Sequence, residues 1–250
     1  GIAERLAHCY LNNGRGIFTM GDLARASVKH PDALYKMFGV NAEILIDHAW
    51  GYEPCGIAEI KQYKSKTHSI GGGQVLSCAY DCAKAKIVIR EMVDTLALDL
   101  VEKGLVTNGL TLHVGYDREN VDKGIYHGET VIDNYGREIP KPAHGTAPLL
   151  NYTSSASTIA EAVMKLADRI MNPSLTVKRL NLTANNVLEA TQESYDLFTD
   201  VKKIEREKKM MQAQIAIKKR FGKNAIFKGM DMQEGATTRE RNQQIGGHKA

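Results

Sequence analysis

Between residues 2 and 50 the apolar positions recur every three to four residues and are interrupted by short turn signals, which predicts a run of consecutive helices. Ile2, Leu6, Cys9 and Tyr10 share one helical face, Asn12-Asn13-Gly14 ends that run, and another begins with Gly21-Asp22-Leu23-Ala24 after Thr19. Pro31 fits the first turn of a further helix, where a missing amide costs nothing. Leu34, Met37 and Phe38 face one side of it, and beyond Gly39 a buried stripe is expected to continue through Ile44, Leu45, His48 and Ala49. Gly51, Pro54 and Gly56 punctuate the end, and residues 57–67 turn polar and lysine-bearing without strong periodicity, as a linker does.

A different pattern follows. Residues 68–80 read as an extended segment entered through Gly71-Gly72-Gly73, and a long helix is expected over about 81–103 with Ala85, Ile89, Met92, Val93, Leu96 and Leu100 on one face. Leu110, Leu112, Val114 and Tyr116 then alternate with Thr111, His113 and Gly115, the signature of a strand with one buried face. Residues 118–142, rich in Gly, Asp, Asn and Pro, read as an excursion with a hairpin around Asn134-Tyr135-Gly136. A third strand is expected over 144–153, with Pro148 marking an edge or a bulge. Ser157 is the expected cap of a helix carrying Ile159, Ala160, Val163, Leu166, Ala167 and Ile170. In the fourth strand, 175–183, the inward set changes phase between Val177 and Leu180, which predicts a bulge at Lys178-Arg179.

The order strand, helix, strand, strand, helix, strand predicts an α+β class: a four-stranded sheet with both helices on one face, preceded by a helical unit. Its free face would carry Ser69, Ser77, Thr111, His113, Thr146, Thr176, Lys178 and Asn181, small, polar or basic residues suited to something polar or simply to water. The turns at Gly1-Ile2-Ala3 and Gly39-Val40-Asn41 feed directly into helices. First-turn amides have no partner within a helix and face outward at the positive end of its dipole, an arrangement that holds phosphate. An ordinary helix corner has the same local sequence.

Composition narrows the picture. With 250 residues, 43% hydrophobic and 25% charged, the chain is long enough for about two domains. No apolar run reaches the roughly 20 residues a membrane span needs, so a cytoplasmic protein without a membrane partner is expected. Cys9, Cys55, Cys78 and Cys82 are too few and too scattered for a disulfide framework or a zinc site. The net charge of +4 is unevenly placed: residues 202–250 carry 13 Lys and Arg against 5 Asp and Glu. A helix over 199–221, with Val201, Ile204, Met211 and Ile215 on one side, either packs on the sheet domain or adds phosphate contacts.

In this order the parts resemble the C-terminal half of a Y-family, UmuC-like (ImpB/MucB/SamB) translesion DNA polymerase. The resemblance rests on Gly1-Ile2-Ala3 with Leu6-Ala7, Gly16-Ile17-Phe18-Thr19-Met20-Gly21-Asp22-Leu23, Phe38-Gly39 with Leu45, Ala49 and Gly51, Lys66-Thr67-His68-Ser69-Ile70-Gly71, Val177-Lys178-Arg179-Leu180 with Leu182-Thr183, and Arg220-Phe221-Gly222. It is their collinearity that is specific. The resemblance implies a helix-hairpin-helix thumb over residues 1–53, a linker over 54–66, a βαββαβ little finger over 67–188, and a C-terminal segment, basic helix and tail over 189–250. Ala3 stands where the family has a third hairpin glycine, and residues 118–142 exceed the minimal little finger.

The resemblance further implies sequence-independent binding of primer-template DNA in SOS-type damage bypass, through Ile2, Ala3, Gly39, Val40, Asn41, Lys64, Lys66, Thr67, Ser69, Lys178 and Arg179. The catalytic carboxylates and their magnesium belong to a palm expected before Gly1, so no cofactor and no catalytic residue is expected in this chain. Asp22, Asp47, Asp94 and Asp99 have ordinary surface explanations. A helix-hairpin-helix glycosylase would place a catalytic Asp in a helical continuation, which the sheet domain replaces here; a non-catalytic repair accessory or clamp-binding module would share all these parts. Ser194-Tyr195-Asp196-Leu197-Phe198 resembles the Gln-Leu-Asp-Leu-Phe peptide with which bacterial polymerases dock on the sliding clamp, with Leu197 and Phe198 as apolar anchors and Ser194 in place of glutamine. The same residues would also serve to pin the next helix. If they are a clamp peptide, replacing Leu197 and Phe198 together by alanine abolishes capture by the clamp in a pull-down and leaves DNA affinity intact.

Overall fold

A computed structural model describes residues 1–63, 68–192, 200–245 and 248–249. The chain divides into two compact units, Gly1–Lys66 and Thr67–Ala250.

The first unit is helical: α1 (Ile2–Ala7), α2 (Met20–Lys29), α3 (Pro31–Phe38), α4 (Asn41–Ala49) and α5 (Ile57–Gln62). Thr19 starts α2 through a reciprocal cap, its Oγ1 accepting from the Asp22 amide at 3.1 Å while its own amide donates to the Asp22 carboxylate at 3.2 Å. Leu6, Ile17, Leu23, Ala26, Leu34 and Ala42 form the core. The α4 stripe differs from the expected one: Ala42 is buried and Leu45, Ile46 and Ala49 pack beside it, whereas Ile44 is exposed and His48 lies 2.7 Å from Glu53. α1 also stops before Tyr10, which is exposed with a φ of 54°. The segment expected as linker contains α5, a single helical stretch with no buried side chain.

The second unit is α+β. Its elements run β1 (Ile70–Tyr80), α6 (Cys82–Lys103), β2 (Leu105–Tyr116), α7 (Glu119–Asp122), β3 (Thr130–Ile132), β4 (Glu138–Pro140), β5 (Ala143–Thr153), α8 (Ala156–Ile170), β6 (Val177–Asn185), β7 (Leu188–Glu189), α9 (Val201–Phe221) and α10 (Thr238–Arg241). The main sheet is antiparallel, in the order β1-β6-β2-β5. A fifth short strand, β7, pairs with Leu105 and Val106, an addition to the four expected. It arises because β2 begins directly after Gly104, which closes α6 at φ 66°, and because the Thr107 hydroxyl donates to the Gly109 and Asn185 carbonyls and offsets the first residues of β2 from the rest. Leu110, Leu112, Val114 and Tyr116 of β2 and Val177, Leu180, Leu182 and Ala184 of β6 enter one core with the buried faces of α6 and α8. β5 is an edge strand whose register breaks between Pro148 and Thr153.

The α8 cap is Ser155, not Ser157: the Ser155 hydroxyl accepts from the Thr158 amide at 3.3 Å. Glu207 of α9 explains the displacement, since it takes the Ser157 amide at 2.9 Å and the Ser155 hydroxyl at 2.6 Å, a carboxylate set against a helix N-terminus. Met211 is buried and Ile215 lies against the core, so α9 packs on the sheet domain.

The residues after α9 also have a physical account. Glu91, buried on α6, accepts from the Thr237 amide at 2.8 Å, the Thr237 hydroxyl at 2.9 Å and the Thr238 amide at 3.0 Å. Lys228 pairs with Asp94 at 2.6 Å and Lys84 with Glu234 at 2.5 Å. The tail is therefore strapped across α6. Glu91→Ala removes its central anchor, so amide exchange at residues 237–241 should accelerate by about tenfold or more, from hydrogen bonds to a charged group of about 1.5–3 kcal/mol each, while the sheet amides keep their protection in hydrogen-exchange mass spectrometry.

Candidate nucleic-acid interface

Strand alternation sends the residues between the buried ones to the opposite face of the sheet. The register assembles them into rows. Gly71, Thr183, Thr111 and Thr146 stand side by side across four strands; the next row is Gly73, Asn181, His113 and His144; the next is Val75, Arg179 and Gly115. Hydrogen bonds tie the first row, Thr111 and Thr146 hydroxyls lying 3.2 Å apart and Asn185 donating to Thr111 at 2.7 Å. Gly71 and Gly73 are required by this face: a Cβ on Gly71 would meet Thr183 Oγ1 at 2.6 Å, and one on Gly73 would overlap the Asn181 amide. The face is thus polar and hydrogen-bonding.

The expected bulge is at Lys178. Arg179 opposes Gly115 and Val177 opposes Tyr116, so Lys178 is the extra residue in β6. Its Nζ donates to the Ser77 carbonyl at 3.1 Å, which carries the lysine toward the irregular end of β1, and Arg179 is exposed over Gly115. Of the other residues expected on this face, Ser69 and Ser77 are exposed, but Thr176 belongs elsewhere. Thr176 precedes β6 and is held by the buried Asn120, whose Oδ1 accepts from the Thr176 amide at 3.0 Å. His113 is half-buried beside His144 and Arg179; burial first, then those neighbours, push its imidazole below the ordinary value of 6.5.

In the helical unit, Ile2 and Ala3 are exposed in the first turn of α1. Gly39 ends α3 at φ 58°, a conformation that favours glycine, and Val40 and Asn41 lead into α4 with both side chains exposed. Arg5 ties the two turns: its guanidinium lies 4.6 Å from the Phe38 ring centre and donates to the Met37 carbonyl. Sequence reasoning missed this arginine because only the fold brings α1 to the end of α3. Lys64, Lys66 and Thr67, and the peptide Ser194, Tyr195, Asp196, Leu197 and Phe198, lie outside the described residues.

Among the described residues the carboxylates do not fit a pair of metal ions. Asp22 is spent on the α2 cap and on Arg25 at 2.6 Å, Asp94 is paired with Lys228, and among the described residues no three His, Cys, Asp or Glu side chains converge. Nor, among those residues, is any helix long and apolar enough to cross a membrane.

The second unit is therefore an α+β domain that buries one sheet face under helices and presents a polar one. The chain belongs to the impB/mucB/samB family: residues 68–197, more than half of it, match the family's C-terminal domain. It is similar to DNA polymerase IV 2 of Halalkalibacterium halodurans strain C-125, 24% identical over 253 residues covering 99% of this chain and 54% of the relative. It is also similar to UvrX of Bacillus subtilis strain 168, a protein named for UV-damage repair, 24% identical over 240 residues covering 95% of this chain and 51% of the relative. The chain spans about half the length of the curated relatives it matches.

His113 sets a pH dependence. Its folded pKa lies below 6.5, so as pH falls through about 6.5 the unfolded chain takes up a proton that the folded chain does not, and stability declines until the folded imidazole also titrates. Urea unfolding at pH 7.5 and 5.5 should show a smaller loss for His113→Gln than for the unaltered chain.

Proposed function

We propose that this chain is the DNA-gripping part of a translesion DNA polymerase. In this reading the sheet unit acts as a little finger lying along the primer-template duplex in the major groove. The helical unit acts as a thumb that meets the backbone across the minor groove through the turns at Ile2-Ala3 and Gly39-Val40-Asn41. Polymerisation itself, with its paired metal ions, would belong to a palm outside this chain, and Ser194 to Phe198 would tether the enzyme to a sliding clamp.

The observation that carries the reading is the outer sheet face. Its Thr, Asn, His and Gly rows, bordered by Lys178 and Arg179, offer hydrogen bonds and two cations, with Val75 and, at the end of β5, Leu150 as exposed apolar side chains. Hydrogen-bonding and cationic groups of this kind engage phosphate and sugar without reading bases, which suits a protein that must hold a damaged template. The family membership and the polymerase and repair names of its relatives point the same way.

Fluorescence anisotropy with duplexes of several sequences, across a salt series, tests this. Arg179→Ala should weaken binding evenly over all sequences and reduce the slope of log affinity against log salt by about 1. A marked preference for one sequence, or an affinity indifferent to salt, would overturn the reading.

A further inference from the structure

We infer that the β3–β4 hairpin is a stacking platform for an unpaired nucleobase, with Tyr135 as its surface; this rests on the DNA-gripping reading and extends it to single-stranded template. The hairpin pairs Thr130 with Pro140, Val131 with Ile139 and Ile132 with Glu138, and it turns at Asp133–Arg137. At the tip one carboxylate organises everything. Asp133 Oδ1 accepts from the Tyr135 amide at 2.8 Å and the Arg137 amide at 3.0 Å, and Oδ2 accepts from the Arg137 guanidinium at 2.8 Å and 2.6 Å. Gly136, at φ 75°, permits the turn.

The product of that network is a fixed aromatic ring. The Arg137 guanidinium, itself held by Asp133, sits 4.8 Å from the Tyr135 ring centre, yet 79% of Tyr135 remains exposed. A tyrosine with no partner beyond its own turn gains nothing from such ordering in water, and a large exposed ring whose position is already set loses little entropy when it binds. The ring also faces somewhere definite: Tyr135 and Arg137 line one wall of a cleft whose floor is His113, Gly115 and Arg179 from the outer sheet face.

The charges around the tip select the part of a nucleic acid that fits. Arg137 is paired with Asp133, Arg118 with Asp122 and Lys123 with Glu119, so the cations near the hairpin are already compensated and phosphates are favoured instead on the floor, where Lys178 and Arg179 lie. What remains for the ring is the flat face of a base. Bases inside a duplex have both faces covered by their neighbours, whereas an unpaired template base offers one. Stacking on an aromatic side chain is indifferent to base identity, in keeping with the backbone contacts proposed for the sheet.

The test compares the full chain and its Tyr135→Ala and Tyr135→Phe variants on one duplex, blunt or with a short single-stranded overhang carrying 2-aminopurine. Tyr135→Ala should lower affinity for the overhang DNA about fivefold or more, the low end of base–aromatic stacking, change blunt-duplex affinity less than about twofold, and abolish quenching of 2-aminopurine; Tyr135→Phe should retain both. Unchanged overhang binding and quenching in Tyr135→Ala, or an equal loss on the two DNAs, would overturn the platform while leaving the grip on duplex standing. If the unaltered chain binds neither DNA, the grip fails and the platform with it.

Discussion

Burial of the helix-facing rows of β2 and β6 governs the rest of the sheet unit. Val177 and Leu180 both belong to the core although they are three residues apart, and a regular strand of period two would turn one of them outward. Burying such a side chain is worth about 1.5–3 kcal/mol, more than the roughly 1 kcal/mol net value of one ladder hydrogen bond. The strand therefore gives up regular pairing at Lys178. That concession decides the chemistry of the opposite face, because it sends Lys178 toward Ser77 and lays Arg179 over Gly115, where a side chain at 115 would crowd it. The only basic side chains that β6 supplies thus owe their placement to packing on the other side of the sheet.

A second constraint acts on the helical layer. Glu91 is a carboxylate buried on α6, and a buried charge without partners is expensive. The donors it needs come from Thr237 and Thr238, so the chain after α9 has to return across α6. Glu207 works in the same way on a smaller scale: it draws α9 against the start of α8 by accepting from the Ser155 hydroxyl and the Ser157 amide. These two carboxylates join residues 201–241, all of which lie beyond the stretch matching the family domain, to the sheet unit.

This division explains what could be read in the residue pattern. The α6 face, the alternation of β2 and the phase change in β6 are local, and each was legible because burial is written at intervals of 3.6 or two residues. Ser155 could not be distinguished from Ser157 as a cap without knowing of Glu207, some fifty residues away. The pairing of β7 with Leu105 and Val106, the return of the tail to Glu91, and the seat of Arg5 on Phe38 depend likewise on partners that carry no local mark. For the candidate site, Lys178 and Arg179 were legible through the bulge, and Tyr135 only as part of a turn. The rows of the outer face required the register of four strands, and Thr176 was misplaced because its partner, Asn120, lies in the excursion.

The charge asymmetry then takes on a different meaning. Residues 202–250 hold 13 Lys and Arg against 5 Asp and Glu; α9 packs on the helical layer through Met211 and Ile215, whereas the tail passes the β1 edge, where Thr237 meets Gln74 and where Glu240 and Arg241 line a cleft with Gly73, Val75, Arg179 and Asn181. A helix is about 10 Å across, and charges separated by more than roughly 8–10 Å are largely screened at physiological salt. Part of this charge is also neutralised locally, Lys219 by Glu102 and Lys228 by Asp94. A polyanion against the outer face would therefore be attracted to the domain by the charge of α9 only at longer range and low salt. Once docked, it would be held by short hydrogen bonds from Thr, Asn and backbone groups and by two cations. The charge of α9 and the cations of the sheet face thus act at different ranges, so a face with few charges and a chain that is distinctly basic at one end are compatible in the proposed grip on DNA.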